Sequence, residues 1–437
     1  MLLFFQYGHA QIQSLPTGGY RWAKKEEKRS FLENILENPS DFRSNSEDTG
    51  YICEVDLEYP DSLHDLHSDM PLAPEHIAIS KDKICPLMKT HCPYGDSYIS
   101  KKLVGTLKDK KKYVLHYQIL KLYISMGLKI KRLHRLLAFK QRPFMQDYIS
   151  HIAELRLASK NEFEKSCLKK LANSNYGKMI ENTRKYKDVR ICQTTESFLE
   201  AISSPLFLSF KIYNQNLVIC FLQKSSIFLR SCHAIGLSIL DLSKLHMYDL
   251  YYNHIIPDTK LSPIDNTLSI MMSDTDSFLF SFKKKTTNEF LSNIEHIMDF
   301  SNYPKDHTLF SRANAGQLGY LKDEMKGEAE ISGVVALKSK CYSIKSRNAI
   351  SKCKGIPKVA TNKLKFKHYK QTLLKKETFY SKFARISSKD HEVSTVSFKR
   401  KSLSFYDDKR FYLCNIHSLP YGHYKLRQDE DALCHCN

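Results

Sequence analysis

The sequence lacks several features that mark particular classes of protein. It contains 12 cysteines but no C-x-x-C pair, so it predicts neither a disulfide framework nor a zinc ribbon. No apolar run approaches the roughly 20 residues of a membrane span. The first residues have neither a basic segment nor a small-residue cleavage site, which excludes a typical signal peptide. These absences favour a soluble, intracellular protein in a reducing compartment and do not distinguish the nucleus from an organelle.

Two short segments combine cysteine with histidine and therefore hold potential metal ligands. A tetrahedral site needs four ligands at compatible spacing, and each segment offers three. Ordinary free thiols are therefore favoured over metal binding in both segments. The residues are Cys85, His91 and Cys92 in the first segment and Cys434, His435 and Cys436 in the second.

The size and charge of the chain point to a globular protein with a polyanionic partner. Its 437 residues, of which 42% are apolar, predict roughly two to four domains. Lysine and arginine number 67 against 47 aspartates and glutamates, which gives a net charge of +20. Such a field concentrates polyanions near the surface, so nucleic acid is the first partner to test. The alternative, that the excess of lysine only aids solubility, stays open here.

Helical and strand patterns follow one another without regular alternation, which predicts an α+β fold. Strand patterns cover 51–60 and 206–231, and helical patterns cover 113–185 and 237–252. Residues 268–282 resemble a hairpin, because two apolar runs flank an acidic turn. In the helix at 163–182, an apolar stripe is predicted to face the core. Its members are Phe163, Cys167, Leu168, Leu171, Met179 and Ile180.

The acidic turn "SDTDS" contains two aspartates one residue apart, Asp274 and Asp276. In an extended or tightly turned backbone, side chains at i and i+2 point to one side. Their repulsion must then be relieved by cations. Two Mg²⁺ ions bound by carboxylates and substrate phosphates could activate a hydroxyl and stabilise a leaving pyrophosphate. A solvated Asp-rich turn is the simpler alternative, and the motif alone leaves both open.

The segment "KKLANSNYG" (169–177) places a cation, an amide, an aromatic ring and a glycine at i, i+4, i+7 and i+8 of a helix. Such a face suits a nucleoside triphosphate, because the ammonium meets phosphates and the glycine permits close approach. An amphipathic helix with a merely hydrated polar face is the alternative. Asn, Ser and Gly inside a helix lower its propensity, and such a broken local rule more often marks function. The residues are Lys169, Asn173, Tyr176 and Gly177.

In "ALKSKCYSI", Lys340 and Tyr342 are predicted to lie on one side of a strand. A lysine can hold a backbone phosphate while the neighbouring phenol approaches a sugar or a base edge. Two exposed strand residues without a ligand are the alternative.

In this order, the three motifs resemble those of family B DNA polymerases. "KKLANSNYG" is similar to the K-x-x-x-N-S-x-Y-G motif of the fingers, "SDTDS" to Y-x-D-T-D-S of the palm, and "KSKCY" to K-x-Y near the primer end. Other segments, including "LPTGGYRW", "LGYLKDE" and "SLSFYDDKRF", resemble the protein-primed branch found in Maverick/Polinton-type elements and in viral and organellar relatives. The resemblance covers nearly the whole chain.

The resemblance implies a right-hand architecture of palm, fingers and thumb, with an antiparallel palm sheet. It implies six segments. These are the start of the palm at 1–24, palm with a candidate insertion at 25–110, fingers at 111–185, palm with a second candidate insertion at 186–265, palm with the "DTDS" and K-x-Y motifs at 266–345, and a thumb-like part at 346–437.

The resemblance also implies roles for individual residues. Asp274 and Asp276 would be catalytic and would bind two Mg²⁺ ions. Lys340 and Tyr342 would hold the primer DNA. The expected partners are primer-template DNA, deoxynucleoside triphosphates and a candidate terminal protein primer, with no membrane. The nucleotide would be bound by Tyr7, which excludes ribonucleotides in the family, and by Lys169, Asn173, Tyr176 and Gly177.

The sequence departs from the family at its first palm motif, which supplies a further metal-binding aspartate five residues before the tyrosine. Counted back from Tyr7, that position is Leu2, and a leucine cannot ligate Mg²⁺. Asp56 in "EVDLEYP" is a poor substitute, because it follows "LPTGG", where the family has a separate strand. Losing a bridging carboxylate should cost several orders of magnitude in rate.

The predicted function is therefore that of a DNA-directed DNA polymerase, which adds deoxynucleotides to a 3′-hydroxyl in DNA replication. Relatives carry an exonuclease domain before the palm, and these residues do not encode one, so we interpret the chain as the polymerase part of a longer protein. The alternative is a catalytically inactive, nucleic-acid-binding remnant of a mobile-element polymerase. A basic structural protein with accidental motifs is a third reading.

Overall fold

The computed structural model describes residues 2–3, 6–43, 48–95, 99–228, 231–274, 276–327, 331–347, 349–389 and 392–427. Within them the strands pair antiparallel. In chain order the strands are β1 (Leu2–Leu3), β2 (Leu15–Trp22), β3 (Thr49–Glu58), β4 (Glu75–Ser80), β5 (Ile99–Val104), β6 (Lys110–His116), β7 (Lys129–Arg142), β8 (Lys187–Cys192), β9 (Phe207–Asn214), β10 (Leu217–Gln223), β11 (Leu268–Ser273), β12 (Ser277–Phe282), β13 (Lys322–Asp323), β14 (Gly333–Lys338), β15 (Cys341–Lys345), β16 (Ile350–Cys353), β17 (Phe379–Lys389), β18 (Glu392–Leu403), β19 (Phe411–Tyr412) and β20 (Ser418–Leu419).

Helices lie between these strands without a repeating β-α order. They are α1 (Gln6–Gln11), α2 (Lys25–Glu37), α3 (Pro86–Lys89), α4 (Tyr117–Ser125), α5 (Gln146–Ala158), α6 (Glu162–Met179), α7 (Thr195–Ser203), α8 (His233–Asp249), α9 (Ile256–Thr259), α10 (Thr287–Asn293), α11 (Lys358–Thr361) and α12 (Phe366–Lys375). A π-helical turn at Leu250–Ile255 joins α8 to α9. None of the described helices is long and apolar enough to cross a membrane.

A four-stranded sheet contains the acidic motif, in the order β11-β12-β1-β13. Strand β1 pairs with both of its neighbours, so that Leu2 lies opposite Phe278 on one side and Asp323 on the other. The predicted hairpin is confirmed, since β11 pairs with β12 from Leu268↔Phe282 to Ser273↔Phe278. The first residues of the chain therefore lie directly beside the strand that follows the aspartates.

A second four-stranded sheet, β2-β7-β3-β6, is curled by register shifts along its pairs. Burial along β3 alternates over most of its length, as expected for a strand with one face on a core. One apolar cluster, here called the central core, lies against this face. It is enclosed by helix α4, the π-helical turn and the acidic hairpin. Its fully buried members include Val55, Leu120, Tyr251, Phe278 and Leu321.

Helices α5 and α6 form an antiparallel pair that packs against α1 and α8. The side chain of Asn161 caps α6 by accepting a hydrogen bond from the Glu164 backbone amide at 2.8 Å, which satisfies one otherwise unpaired donor. The four helices share a second apolar cluster, here called the helix core. Its buried members are Ala10, Leu15, Met145, Ile149, Ile152, Ala172, Ile239 and Leu242.

Two details of the sequence reading are wrong. The helical pattern predicted over 113–185 fails at Lys129–Arg142, which is a 14-residue strand between β2 and β3. The predicted apolar stripe of α6 is wrong in part, since only Leu168 and Met179 of its members pack on the helix core. Phe163 and Leu171 are exposed, and the face that packs on the helix core consists of Ala172 with Leu168, Tyr176 and Met179.

The predicted fold class, α+β with an antiparallel sheet around the acidic motif, is confirmed. The division into palm, fingers and thumb segments stays a prediction. The predicted boundary between palm and thumb falls inside a sheet, because β16 pairs with β15 in the sheet β14-β15-β16. That sheet continues past the boundary predicted at residue 346.

A cluster of buried histidines joins the loop after β3 to the C-terminal part of the described chain. The Tyr424 backbone amide donates to His64 Nδ1 at 2.9 Å, and the Tyr59 hydroxyl lies 2.8 Å from His67 Nδ1. Burial lowers the pKa of both His67 and His423 to about 4, and the His64 charge acts in the same direction at His67. Neutral histidines therefore hold this junction together.

We expect the free energy of unfolding to fall as the pH is lowered from about 6.5 to about 4. In this window the histidines of the unfolded chain are protonated, whereas the buried histidines of the folded chain remain neutral. The unfolded state therefore binds more protons, and a lower pH favours unfolding. For His67 the loss should reach roughly 3 kcal/mol. Chemical denaturation at several pH values measures it, with His67→Gln as the comparison. An equally steep decline in the variant would contradict the assignment to this histidine.

Candidate active site

The acidic turn between β11 and β12 is held by its own backbone. The Asp274 amide donates to the Ser277 carbonyl at 3.2 Å, and the Asp276 amide donates to the Asp274 carbonyl at 2.7 Å. The two residues after Ser277 anchor the turn. Phe278 is buried in the central core, and Leu279 packs beside Tyr342. Both carboxylates are thus presented from a backbone fixed on two apolar clusters.

The two aspartates lie in different electrostatic surroundings. Lys340 Nζ lies 3.4 Å from Asp274 Oδ1. Asp276 is half-buried, and burial raises the pKa of its carboxyl; Lys169 opposes this rise, whereas Asp274 and Glu324 add to it. Burial, more than the neighbouring acidic groups, therefore makes ionisation of Asp276 unfavourable.

Lys340 and Tyr342 lie beside the acidic turn, but not on one strand face as predicted. Lys340 occupies the turn between β14 and β15 with a φ of 59°, whereas Tyr342 is buried in β15. Burial raises the pKa of Tyr342 to about 12, and the charges of Glu324 and Asp274 act in the same direction. The K-x-Y residues thus approach the aspartates from a turn and from the strand after it.

Tyr7 and Tyr176 bring helices α1 and α6 together. Their rings stack with centroids 5.0 Å apart and an interplanar angle of 12°. The Gln11 side chain donates to the Ala172 carbonyl at 3.3 Å and ties α1 to α6. Burial raises the pKa of Tyr7, and the charge of Asp276 adds to this effect while Lys340 opposes it. The stacked pair therefore borders the acidic turn.

The other predicted nucleotide-binding residues lie along α6. The exposed Lys169 influences both Asp276 and Glu324 electrostatically, so its ammonium lies on the side of the acidic turn. The Asn173 Oδ1 atom is buried and has no hydrogen-bond partner among the described residues. A Cβ atom built on Gly177 would meet nothing within 4 Å. This helix thus offers a cation, an unsatisfied acceptor and open space; the role of each residue stays a prediction.

Glu324 was not selected from the sequence. It directly follows β13, and burial raises the pKa of its carboxyl; the nearby Asp323 adds to the rise, whereas Lys352 and Lys169 oppose it. Its charge also acts on Asp276 and Tyr342. In the sequence, Glu324 lies in the segment "LGYLKDE". This segment resembles the protein-primed branch but does not by itself indicate a catalytic role for the glutamate. The site thus contains a third acidic residue from a different strand.

The weaker candidates lie elsewhere. Asp56 is in the curled sheet, where it pairs with His134 Nε2 at 2.8 Å and accepts from the Lys112 amide at 2.7 Å. Cys85 is buried in another apolar cluster. In the described part of the chain, Cys85, His91 and Cys92 do not form a group of converging ligands. The segment with Cys434, His435 and Cys436 lies outside the described residues, as does the side chain of Leu2.

The donor set of the acidic turn fits a divalent cation of the Mg²⁺ type. Carboxylates, water and substrate phosphates are the ligands that Mg²⁺ uses, and this turn presents two carboxylates, Asp274 and Asp276. Among the described residues, the two aspartates do not form a converging group of three ligands with any other His, Cys, Asp or Glu. The remaining ligands would therefore come from water and substrate phosphates.

Comparison with solved structures identifies the architecture. The fold is similar to that of phi29 DNA polymerase. A ternary complex of that enzyme with primer-template DNA and incoming nucleotide matches 93% of this chain with a TM-score of 0.50 and 12% identity. An orthorhombic crystal form matches 92% with a TM-score of 0.48 and 14% identity. A binary complex with primer-template DNA matches 92% with a TM-score of 0.46.

The chain spans 57% of the length of phi29 DNA polymerase in the ternary complex. No protein-family model and no curated protein matches the sequence. At 12% identity, the similarity establishes the fold. The predicted site residues are thus brought together in a fold similar to that of a DNA polymerase.

We expect Asp276→Asn to raise the melting temperature at neutral pH in the absence of divalent ions. Because folding raises the pKa of this carboxyl, its ionised form destabilises the folded state above that pKa. The gain should shrink as the pH falls through the raised pKa, where the wild-type carboxyl is protonated as well. Thermal melts of the variant and the wild type across this range measure the difference.

Asp274→Asn is the matched control for this experiment. It removes the neighbouring carboxyl, whose pairing with the exposed Lys340 contributes little to stability. A larger increase in melting temperature in Asp274→Asn than in Asp276→Asn would show that the destabilising carboxylate is not Asp276.

Proposed function

We propose that this chain is a DNA-directed DNA polymerase of the protein-primed family B type, which extends a primer 3′-hydroxyl with deoxynucleotides and releases pyrophosphate. One observation carries the proposal. The three motifs meet at a single place, where Asp274 and Asp276 lie beside Lys340, Lys169 and the stacked Tyr7. The narrower assignment to the Maverick/Polinton-type branch rests on the sequence motifs.

Each element of the site has a separate task in this reaction. Lys169 on α6 binds the triphosphate and balances the charge near Asp276. The rigid Tyr7–Tyr176 stack forms a wall for the sugar of the incoming nucleotide and crowds a 2′-hydroxyl. Lys340 and Tyr342 hold the primer end, with Tyr342 fixed by burial. Two Mg²⁺ ions, when bound, would supply Lewis-acid activation of the 3′-hydroxyl and charge stabilisation of pyrophosphate.

The K-x-Y lysine has a second role before substrate binds. Its ammonium lies 3.4 Å from the Asp274 carboxylate, which it neutralises in part. In the complex, Asp274 would hold a metal ion and Lys340 would bind a DNA phosphate. The same side chain thus serves as counter-ion in the free protein and as primer contact in the complex.

Primer-template DNA is the proposed macromolecular partner, and the long ribbon of β17 and β18 is a suitable contact for it. Arg385 and Arg400 lie over the Phe398 ring at 4.5 and 5.4 Å, and Lys399 lies over Tyr380 at 5.5 Å. Guanidinium and ammonium groups on such a ribbon bind phosphates without reading sequence. A terminal protein is proposed as primer from the sequence resemblance.

The competing function is a nucleic-acid-binding protein without catalysis. The specific observation in its favour is the position of residue 2, which lies on β1 directly opposite Phe278. In the family that strand carries a metal-binding aspartate, and here it carries a leucine. This alternative predicts DNA binding that weakens steeply with salt, as phosphate contacts do, and that does not depend on the aspartates.

Primer extension distinguishes the two functions. We expect Mg²⁺-dependent incorporation by the wild type, and a loss of at least about 100-fold in the double variant Asp274→Asn/Asp276→Asn. Asp306→Asn, a change at an exposed aspartate away from the motifs, should leave the rate unchanged. Equal rates in the wild type and the double variant, with salt-sensitive DNA binding retained in both, would establish the non-catalytic alternative.

Glu324 provides a second test, because we propose that its carboxylate supports the metal site from outside the ligand set. Glu324→Gln keeps the size of the side chain and should reduce incorporation by about 10-fold or more, as removal of supporting groups near metal sites does. The exposed Glu377→Gln is the matched control. Unchanged incorporation in Glu324→Gln would show that the two aspartates work without this carboxylate.

A further inference from the structure

Three side chains outside the candidate active site direct ligand atoms at one another. His254 lies in the π-helical turn, Asp258 in α9, and His296 in the 3₁₀ turn Glu295–Ile297. His254 Nδ1 and His296 Nε2 are 3.1 Å apart. Asp258 Oδ2 lies 3.4 Å from His296 Nε2 and 3.9 Å from His254 Nδ1. Among the described residues, no other group of three such ligands converges this closely.

These separations match those between ligands of a tetrahedral metal ion. Zinc binds nitrogen and carboxylate oxygen at about 2.0–2.1 Å, so two ligand atoms of a tetrahedral site lie roughly 3.3 Å apart. A hydrogen bond between the two imidazoles explains the shortest contact but not the third ligand. Asp258 Oδ2 is buried and accepts no hydrogen bond from any described residue, which leaves its charge available for a cation.

The local backbone explains how the three groups come together. Pro257 has no N–H, so the helix cannot make the usual hydrogen bond at that residue. The π-helical turn at Leu250–Ile255 widens the helix just before it; such turns occur often at functional sites. His254 and Asp258 are one turn apart on this widened segment, and His296 approaches from the turn after α10.

We propose that His254, Asp258 and His296 bind one Zn²⁺ ion, with water as the fourth ligand. Imidazole nitrogen with one carboxylate suits zinc and its first-row neighbours better than Mg²⁺, which prefers oxygen ligands. His254 and His296 also line a cavity of about 340 Å³, so solvent can reach the site. This metal is distinct from the ions proposed at the acidic turn, since the two sites share no residue.

Arg43 is a positioning residue that competes with the metal. Its Nη2 lies 2.9 Å from His254 Nε2. Because arginine can only donate, Nε2 must accept and the proton of a neutral His254 must lie on Nδ1. Metal binding at Nδ1 requires that proton to move to Nε2 and Arg43 to move away. Arg43 can move because its side chain is 56% exposed.

Asp249 completes this arrangement. In the absence of metal it accepts two hydrogen bonds from Arg43, at 3.0 and 2.7 Å. Once Arg43 moves, the same carboxylate can take the new His254 Nε2–H, as second-shell carboxylates do at zinc sites. The metal-free and metal-bound states thus differ in the partner of one carboxylate, and removal of Arg43 should favour the bound state.

The test is Co²⁺ and Zn²⁺ titration of the full chain and of His296→Ala, Asp258→Asn and Arg43→Met. We expect one Co²⁺ with tetrahedral ligand-field bands in the wild type, displaced by Zn²⁺. Binding should be at least about 10-fold weaker in His296→Ala and Asp258→Asn, and tighter in Arg43→Met. The exposed His151→Ala, a matched histidine change, should bind as the wild type does.

The 12 cysteines could bind the same metals, and the spectrum separates them from this site. Thiolate ligands add an intense near-ultraviolet charge-transfer band, which a site of two imidazoles and a carboxylate lacks. The double variant Asp274→Asn/Asp276→Asn should retain the signal, because it alters only the acidic turn. Equal Co²⁺ binding by the wild type and His296→Ala, or a spectrum dominated by thiolate charge transfer, would overturn the proposal.

Discussion

The burial of the Asp276 carboxyl beside Asp274 is the constraint on which the candidate site depends. A half-buried pair of like charges is costly unless cations lie close to it. The two cations come from distant parts of the chain: Lys340 from the turn before β15 and Lys169 from α6. The hairpin, the helix and the sheet β14-β15-β16 must therefore be placed together, and the place where they meet is the site.

Apolar packing sets the position at which these charges meet. Successive side chains of β12 point to opposite faces, so Phe278 enters the central core while Leu279 packs beside Tyr342 and Ile344. The hairpin thus separates two apolar clusters and is fixed by both. Tyr176 plays a comparable part for α6, since it contacts the helix core and also stacks on Tyr7.

The sequence allowed prediction of the elements whose signal is local. The hairpin around the aspartates follows from Phe278, Phe280 and Phe282 at period two. Strand β7 could not be predicted, because its leucines, lysines and arginines are good helix formers and its strand state comes from pairing with β2 and β3. The buried face of α6 could not be predicted from the sequence either. The small Ala172 is buried at the Gln11 contact, whereas the larger Leu171 is exposed.

The third acidic residue shows why part of the site could not be predicted. Glu324 approaches Asp276 because β1 lies between β12 and β13 and pairs with both, and no local pattern encodes that order. The backbone pairing of β1 therefore links the strand that follows the acidic turn to the strand that precedes Glu324. In this sheet, the backbone pairing of β1 and the chemistry of the neighbouring acidic side chains are separable properties.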